Sequence, residues 1–163
     1  MRRLLAFVLS LLALPLGPAA AQESERRFKL LGPEEMTPAQ KALAQSIRSG
    51  PRASVQGSAA NTGGGPIGSP FNVFLRSPEL GEPLQQVGSY IRFKSSLGMR
   101  LNEMAILIVA REWTAQYEWF AHHRLALQAG LDPKIAEDIA NHRRPASMKP
   151  DEEAVYEFVR ELL

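Results

Sequence analysis

The chain reads as an all-α protein, and three observations lead there. Apolar residues recur at helical spacing in several separate stretches, such as Leu43, Ala44 and Ile47, then Val155, Phe158, Val159 and Leu162. Those stretches are punctuated by cap residues, prolines and glycines at positions where helices start and stop. No stretch shows the strict alternation of a half-buried strand, and there is neither a sustained heptad pattern nor an internal repeat. Helices joined by short connections make a bundle the natural architecture. A length of 163 residues suits one domain.

The first segment, Met1–Ala21, stands apart from the rest. Arg2 and Arg3 precede an apolar run from Leu4 to Leu16, and Ala19, Ala20 and Ala21 supply small residues for cleavage. This is the pattern of a secretory signal peptide, and the run is short for a membrane span. The mature chain is expected to begin at Gln22 and to be secreted or periplasmic, with no membrane attachment after cleavage. N-terminal sequencing of exported protein checks this; an intact Met1 in a membrane fraction would contradict it. Of 19 basic and 17 acidic residues, loss of Arg2 and Arg3 leaves 17 of each. A near-neutral mature chain without a basic patch gives no footprint for nucleic acid. There is no cysteine, which excludes disulfides, thiol catalysis and cysteine-based zinc sites.

Residues 22–36 are polar and read as a flexible lead-in to a domain spanning 37–163. Thr37-Pro38 opens the first helix, with threonine as cap and proline at the first helical position. Gly50-Pro51 stops it. The stretch from Gly50 to Pro70 holds six of the twelve glycines and reads as a long loop. Asn61 and Gly63-Gly64-Gly65 are its candidates for lining a pocket with backbone amides, and a plain tether is the competing reading. Pro70–Leu75 is one or two helical turns. Ser77-Pro78-Glu79 starts a helix to about Leu97, with Leu80, Leu84, Val87, Ile91 and Leu97 expected on its buried side.

Gly98 ends that helix, and Arg100 or Asn102 opens the next, which carries Glu103 within an apolar run to Glu112. Thr114 is the expected cap of a further helix containing Glu118 and His122. Its core stripe is expected to be Ala115, Trp119, Ala126 and Ala129, and Gly130 ends it. Asp132-Pro133 starts a short helix to about Asn141. Lys149-Pro150-Asp151 leads into a last amphipathic helix.

The segments PFNVFLRSPEL (Pro70–Leu80), LNEMAILIVARE (Leu101–Glu112) and QYEWFAHHRLALQAGLD (Gln116–Asp132) resemble the carboxymuconolactone decarboxylase-like family, within the alkyl hydroperoxidase D-like proteins. The resemblance runs from about Thr37 onwards, and the tyrosine-glutamate-tryptophan-x-x-histidine run is its most specific part. It implies an alkyl hydroperoxidase D-like helical bundle, from which a further pair of C-terminal helices is expected to be missing. It also implies a homo-oligomer, whether dimer, trimer or hexamer. The hydroperoxidase branch uses a helical glutamate, two cysteines two residues apart and a histidine. Glu103 and His122 occupy the first and last of these positions, whereas Ala115 and Glu118 occupy the cysteine positions. Peroxidase activity, which the superfamily implies, has no thiol here to form a sulfenic acid.

Glu103, Glu118 and His122 are therefore the expected catalytic residues. Glu118 and His122 are four apart on one helix and share a face. Only histidine titrates near neutral pH unperturbed, and a buried carboxylate beside it makes an acid–base pair. His122 and His123 are adjacent on a helix and point about 100° apart, so they make a poor metal pair. Two readings follow. One is a cofactor-free enzyme, a carboxy-lyase or isomerase acting on a small organic acid or lactone. The other is a non-catalytic binding or structural protein on the same scaffold. A Glu103–His122 pair beside an open cavity favours the first, and a sealed pair favours the second.

Overall fold

The computed structural model describes residues 27–55, 59–60 and 62–163. The segment expected to be a signal peptide, the expected new terminus at Gln22, and Asn61 lie outside them. Among the described residues the chain is all-helical. Seven α-helices follow in order: α1 (Pro38–Ser49), α2 (Phe71–Phe74), α3 (Pro78–Lys94), α4 (Gly98–Glu112), α5 (Gln116–Gln128), α6 (Pro133–Ala140) and α7 (Pro150–Leu162). Two 3-10 turns, Pro33–Glu35 and Pro51–Ser54, flank α1.

Two apolar clusters hold the bundle together. The first joins Leu43, Ala44 and Ile47 of α1 to Met36, Ile67, Phe71 and Leu75. The second joins Met104, Leu107 and Ile108 of α4 to Ala126, Ile135, Ile139 and Val159 from the three helices after it and to Leu131 between α5 and α6. Burial of this apolar surface is the main stabilising term, at roughly 25 cal/mol per Å². The helix α3 belongs to the first half and packs against α4 of the second, so the join between halves runs along these two helices.

Several boundaries fall where local chemistry places them. Thr37 Oγ1 accepts from the Gln40 backbone N–H, and Gln40 Oε1 accepts from the Thr37 N–H, a reciprocal cap. Asp132 Oδ1 accepts from the Lys134 N–H at the start of α6. Gly130 takes φ +90°, the left-handed conformation that ends α5.

Other expectations are corrected. Thr114 does not cap α5: it adopts φ +52°, and Ala115 takes the cap position without a side-chain bond. The apolar stripe on α3 faces outward. Leu80, Leu84, Val87 and Ile91 are exposed, while Gly81 and Gln85 are the buried residues of that helix. Close approach explains the inversion. A methyl group at Gly81 would stand 2.7 Å from the Phe74 carbonyl oxygen and 2.8 Å from Leu43 Cδ2, so α3 presses its glycine onto α1 and α2. In α5 the expected stripe reduces to Ala126, the only residue of that helix fully buried, with Trp119 partly buried against the second cluster. In α7 Val159 is buried, but Phe158 and Leu162 are exposed. The helix carrying Glu103 begins at Gly98, two residues before Arg100.

Candidate functional site

Glu103 lies on the second turn of α4 and is completely buried. Its early start places the carboxylate beyond the helix's free N–H groups, so it does not cap its own helix. It bonds across to two other helices instead. Arg92 Nη2, near the end of α3, donates to Glu103 Oε1 at 2.8 Å. His122 Nδ1, on α5, lies 2.6 Å from Glu103 Oε2. With Arg92 on Oε1, the second oxygen of Glu103 is placed to accept from a protonated His122 Nδ1. On the opposite ring edge, His122 Nε2 lies 3.3 Å from Glu118 Oε2, one helical turn back. Both sequence-predicted glutamates thus meet the imidazole of the third predicted residue, His122.

They do so unequally. Glu103 is sealed behind the ring, whereas the Glu118 side chain is 43% exposed. Arg111 Nε is used elsewhere, donating to the Ala140 carbonyl at 2.6 Å. Because the glutamates meet opposite ring nitrogens, they do not share one ligand position beside His122. Among the described residues no group of three histidine, aspartate or glutamate side chains has a metal-binding arrangement.

His122 and Glu118 line a cavity of about 470 Å³. It lies at the join of the two halves. Phe71, Phe74, Leu84 and Ile91 wall it from the first half, and Ile106, Phe120 and Leu125 from the second. Tyr117 also lines it and donates its hydroxyl to the Ser69 carbonyl at 2.9 Å, tying α5 to the loop before α2. Burial, with Glu118 adding to it, pushes the Tyr117 phenol up from its ordinary value, so it remains a neutral donor at physiological pH. Trp119 stacks on His123 with ring centroids 5.7 Å apart, and Trp113 is exposed.

No family model, curated protein or solved structure matches the chain.

Two residues of the site escaped the sequence reading. Arg92 and Arg52 both line the cavity. Arg52 comes from the 3-10 turn after α1, within the glycine-rich stretch where Gly63-Gly64-Gly65 were the expected contributors; those glycines do not line the cavity. The only sequence signal for Arg52 was a basic residue straight after a Gly-Pro stop. For Arg92 there was none, because its partner is set by how α3 lies across α4.

Proposed function

We propose that the protein is a cofactor-free acid–base enzyme of the carboxymuconolactone decarboxylase type, acting on a small organic acid or lactone and built as an alkyl hydroperoxidase D-like bundle. The observation that carries this is the Glu103–His122 pair at 2.6 Å, with the imidazole lining a cavity large enough for such a molecule. A sealed pair would have favoured the structural alternative.

The geometry suits proton transfer through Nε2. In this reading Nδ1–H donates to Glu103, and Nε2 is the nitrogen that takes up and releases the proton, with Glu118 3.3 Å away to stabilise it when protonated. In a double-bond isomerisation, Nε2 removes a proton from carbon, and the electron pair moves into a conjugated enolate. The imidazolium so formed lies between two carboxylates and returns the proton to another carbon. In a decarboxylation, the C–C bond breaks, carbon dioxide leaves, and the electron pair stays on carbon. Nε2, protonated from solvent beforehand, supplies the proton that takes the place of the carboxyl group on that carbon. In both, Arg92 holds Glu103 in place from behind. Peroxide reduction through a thiol is not open to a chain without cysteine.

The exposed stripe of Leu80, Leu84, Val87 and Ile91, with Phe120 80% exposed nearby in the cavity wall, supports a homo-oligomer. No helix of the described residues is long and apolar enough to cross a membrane.

The test is a mass-spectrometric turnover screen of the mature protein against small cyclic acids and lactones, beside His122→Gln. Turnover by the wild type and not by the variant is expected. Equal turnover by both would refute the assignment.

A further inference from the structure

Two arginines line the cavity in opposite circumstances. Arg92 is neutralised by the buried Glu103. Arg52 is not: it is only 8% exposed, and among the described residues no carboxylate lies within ion-pair distance of it. Its contacts are weak for a buried cation. Nη1 reaches Gln85 Oε1 at 3.4 Å, and the guanidinium carbon sits 5.4 Å from the centre of the Phe71 ring. A buried charge left to an amide and a ring is costly, and structures ordinarily pair it. Burial and the neighbouring Arg92 both act against its charged form, yet an arginine stays protonated in a protein.

The surroundings keep the space beside Arg52 open. A methyl group at Gly88 of α3 would stand 2.8 Å from Arg52 Nη2, so the absent side chain there is what admits the guanidinium. Gly88 also lines the cavity. Arg124 is on the same lining. Arg52 and His122 line one largely apolar chamber.

We propose that Arg52 is the seat for the carboxylate of a small cyclic or aromatic organic acid, with the ligand's ring against Phe71 and Phe74. This rests on the reading of the cavity as a site for small organic acids, and it adds the residue that selects the charged form. The guanidinium fork matches a planar carboxylate with two parallel N–H bonds. Apolar walls suit the rest of such a molecule better than they suit inorganic phosphate.

Calorimetric titration of the full mature chain with benzoate, benzamide and inorganic phosphate tests it. Benzoate should bind, and benzamide, of the same shape without the charge, should bind about 10- to 100-fold more weakly, the loss of one charge-assisted bond. Arg52→Gln should abolish that preference, and Arg52→Lys should retain part of it. Gly88→Ala keeps the charge but displaces Nη2, and it should also weaken benzoate. It decides the matter if Arg52→Gln fails to fold, since alanine suits a helix interior better than glycine. Equal affinity for benzoate and benzamide, no benzoate binding at millimolar concentration, phosphate binding in its place, or wild-type affinity in the folded variants would each overturn the proposal. Benzoate binding by calorimetry is read separately from turnover in the substrate screen. A loss of turnover without loss of binding therefore concerns the proton carrier, and the reverse concerns this seat.

Discussion

Among the described residues two glutamates are almost fully buried, and each is held by an arginine, yet their other partners differ. Glu152 lies on the first turn of α7. Arg100 binds its Oε1 and also bonds Asp151 Oδ2 at 2.5 Å. The other carboxylate oxygen accepts from the Lys149 backbone N–H at 2.7 Å, closing the cap of α7. All its partners keep their protons at any ordinary pH, and it does not line the large cavity. It fastens the last helix to α4. Glu103 has the same burial and a similar arginine, but its second oxygen holds an imidazole whose far nitrogen meets the cavity. Burial of a carboxylate therefore says little about chemistry. The difference lies in whether one partner can exchange a proton and whether that partner reaches a ligand.

The largest expected effect breaks the comparison at the chemical end. Glu103→Gln and His122→Gln should each lower turnover by about 10²–10⁴-fold, the usual contribution of general acid–base catalysis. Glu152→Gln should leave the turnover of folded protein unchanged. Steady-state rates on any substrate from the screen read all three.

The next effect is on stability and runs the other way. Glu152→Ala leaves Arg100 one carboxylate short and the Lys149 N–H without its acceptor. It should cost about 1–3 kcal/mol in denaturant unfolding. A cost as small as that of a typical surface substitution would remove the structural role given to Glu152.

The exposed face of α3 gives a third test. Val87→Glu should shift the oligomer towards monomer at micromolar concentration in light scattering while the helix content is retained. A wild type already monomeric under those conditions would contradict the assembly.

The smallest effect concerns exposed pairs. Asp151 and Glu112 are both held below the ordinary carboxylate range, chiefly by hydrogen bonds from Arg100 and Arg160. A lowered folded-state value means the contribution is present above the unfolded carboxylate range. It is lost as the pH falls through the folded values. Melting temperature should therefore drop on acidification below about pH 4, and Glu112→Gln should flatten that drop slightly. A decline identical in wild type and variant would show that the Arg160 pair contributes nothing.

How much of this was legible in the sequence follows from the range of each interaction. The caps at Thr37 and Asp132 and the stop at Gly130 are local, and residues within four positions specify them. The site residues on α4 and α5 were legible because Glu118 and His122 share a helical face and Glu103 stood alone among apolar neighbours. The inverted face of α3 was not, because its periodic leucines look like a core stripe wherever they point. Only the contact of Gly81 with Phe74 and Leu43 decides the matter. Arg52 and Arg92 were hidden for the same reason. Their roles depend on Gly88, Gln85 and Glu103, which reach them only once the helices are packed.

On the proposed reading Glu103 accepts from a protonated His122 Nδ1, and Nε2 is the nitrogen that exchanges the proton. Imidazole nitrogen NMR of the full mature protein at neutral pH tests this without a substrate, with His122→Gln identifying the signal among the three histidines. The account predicts a hydrogen-bonded, protonated Nδ1 on His122 that loses its distinctive shift in Glu103→Gln. An unprotonated Nδ1 with the proton resident on Nε2, or a signal indifferent to Glu103→Gln, would contradict it.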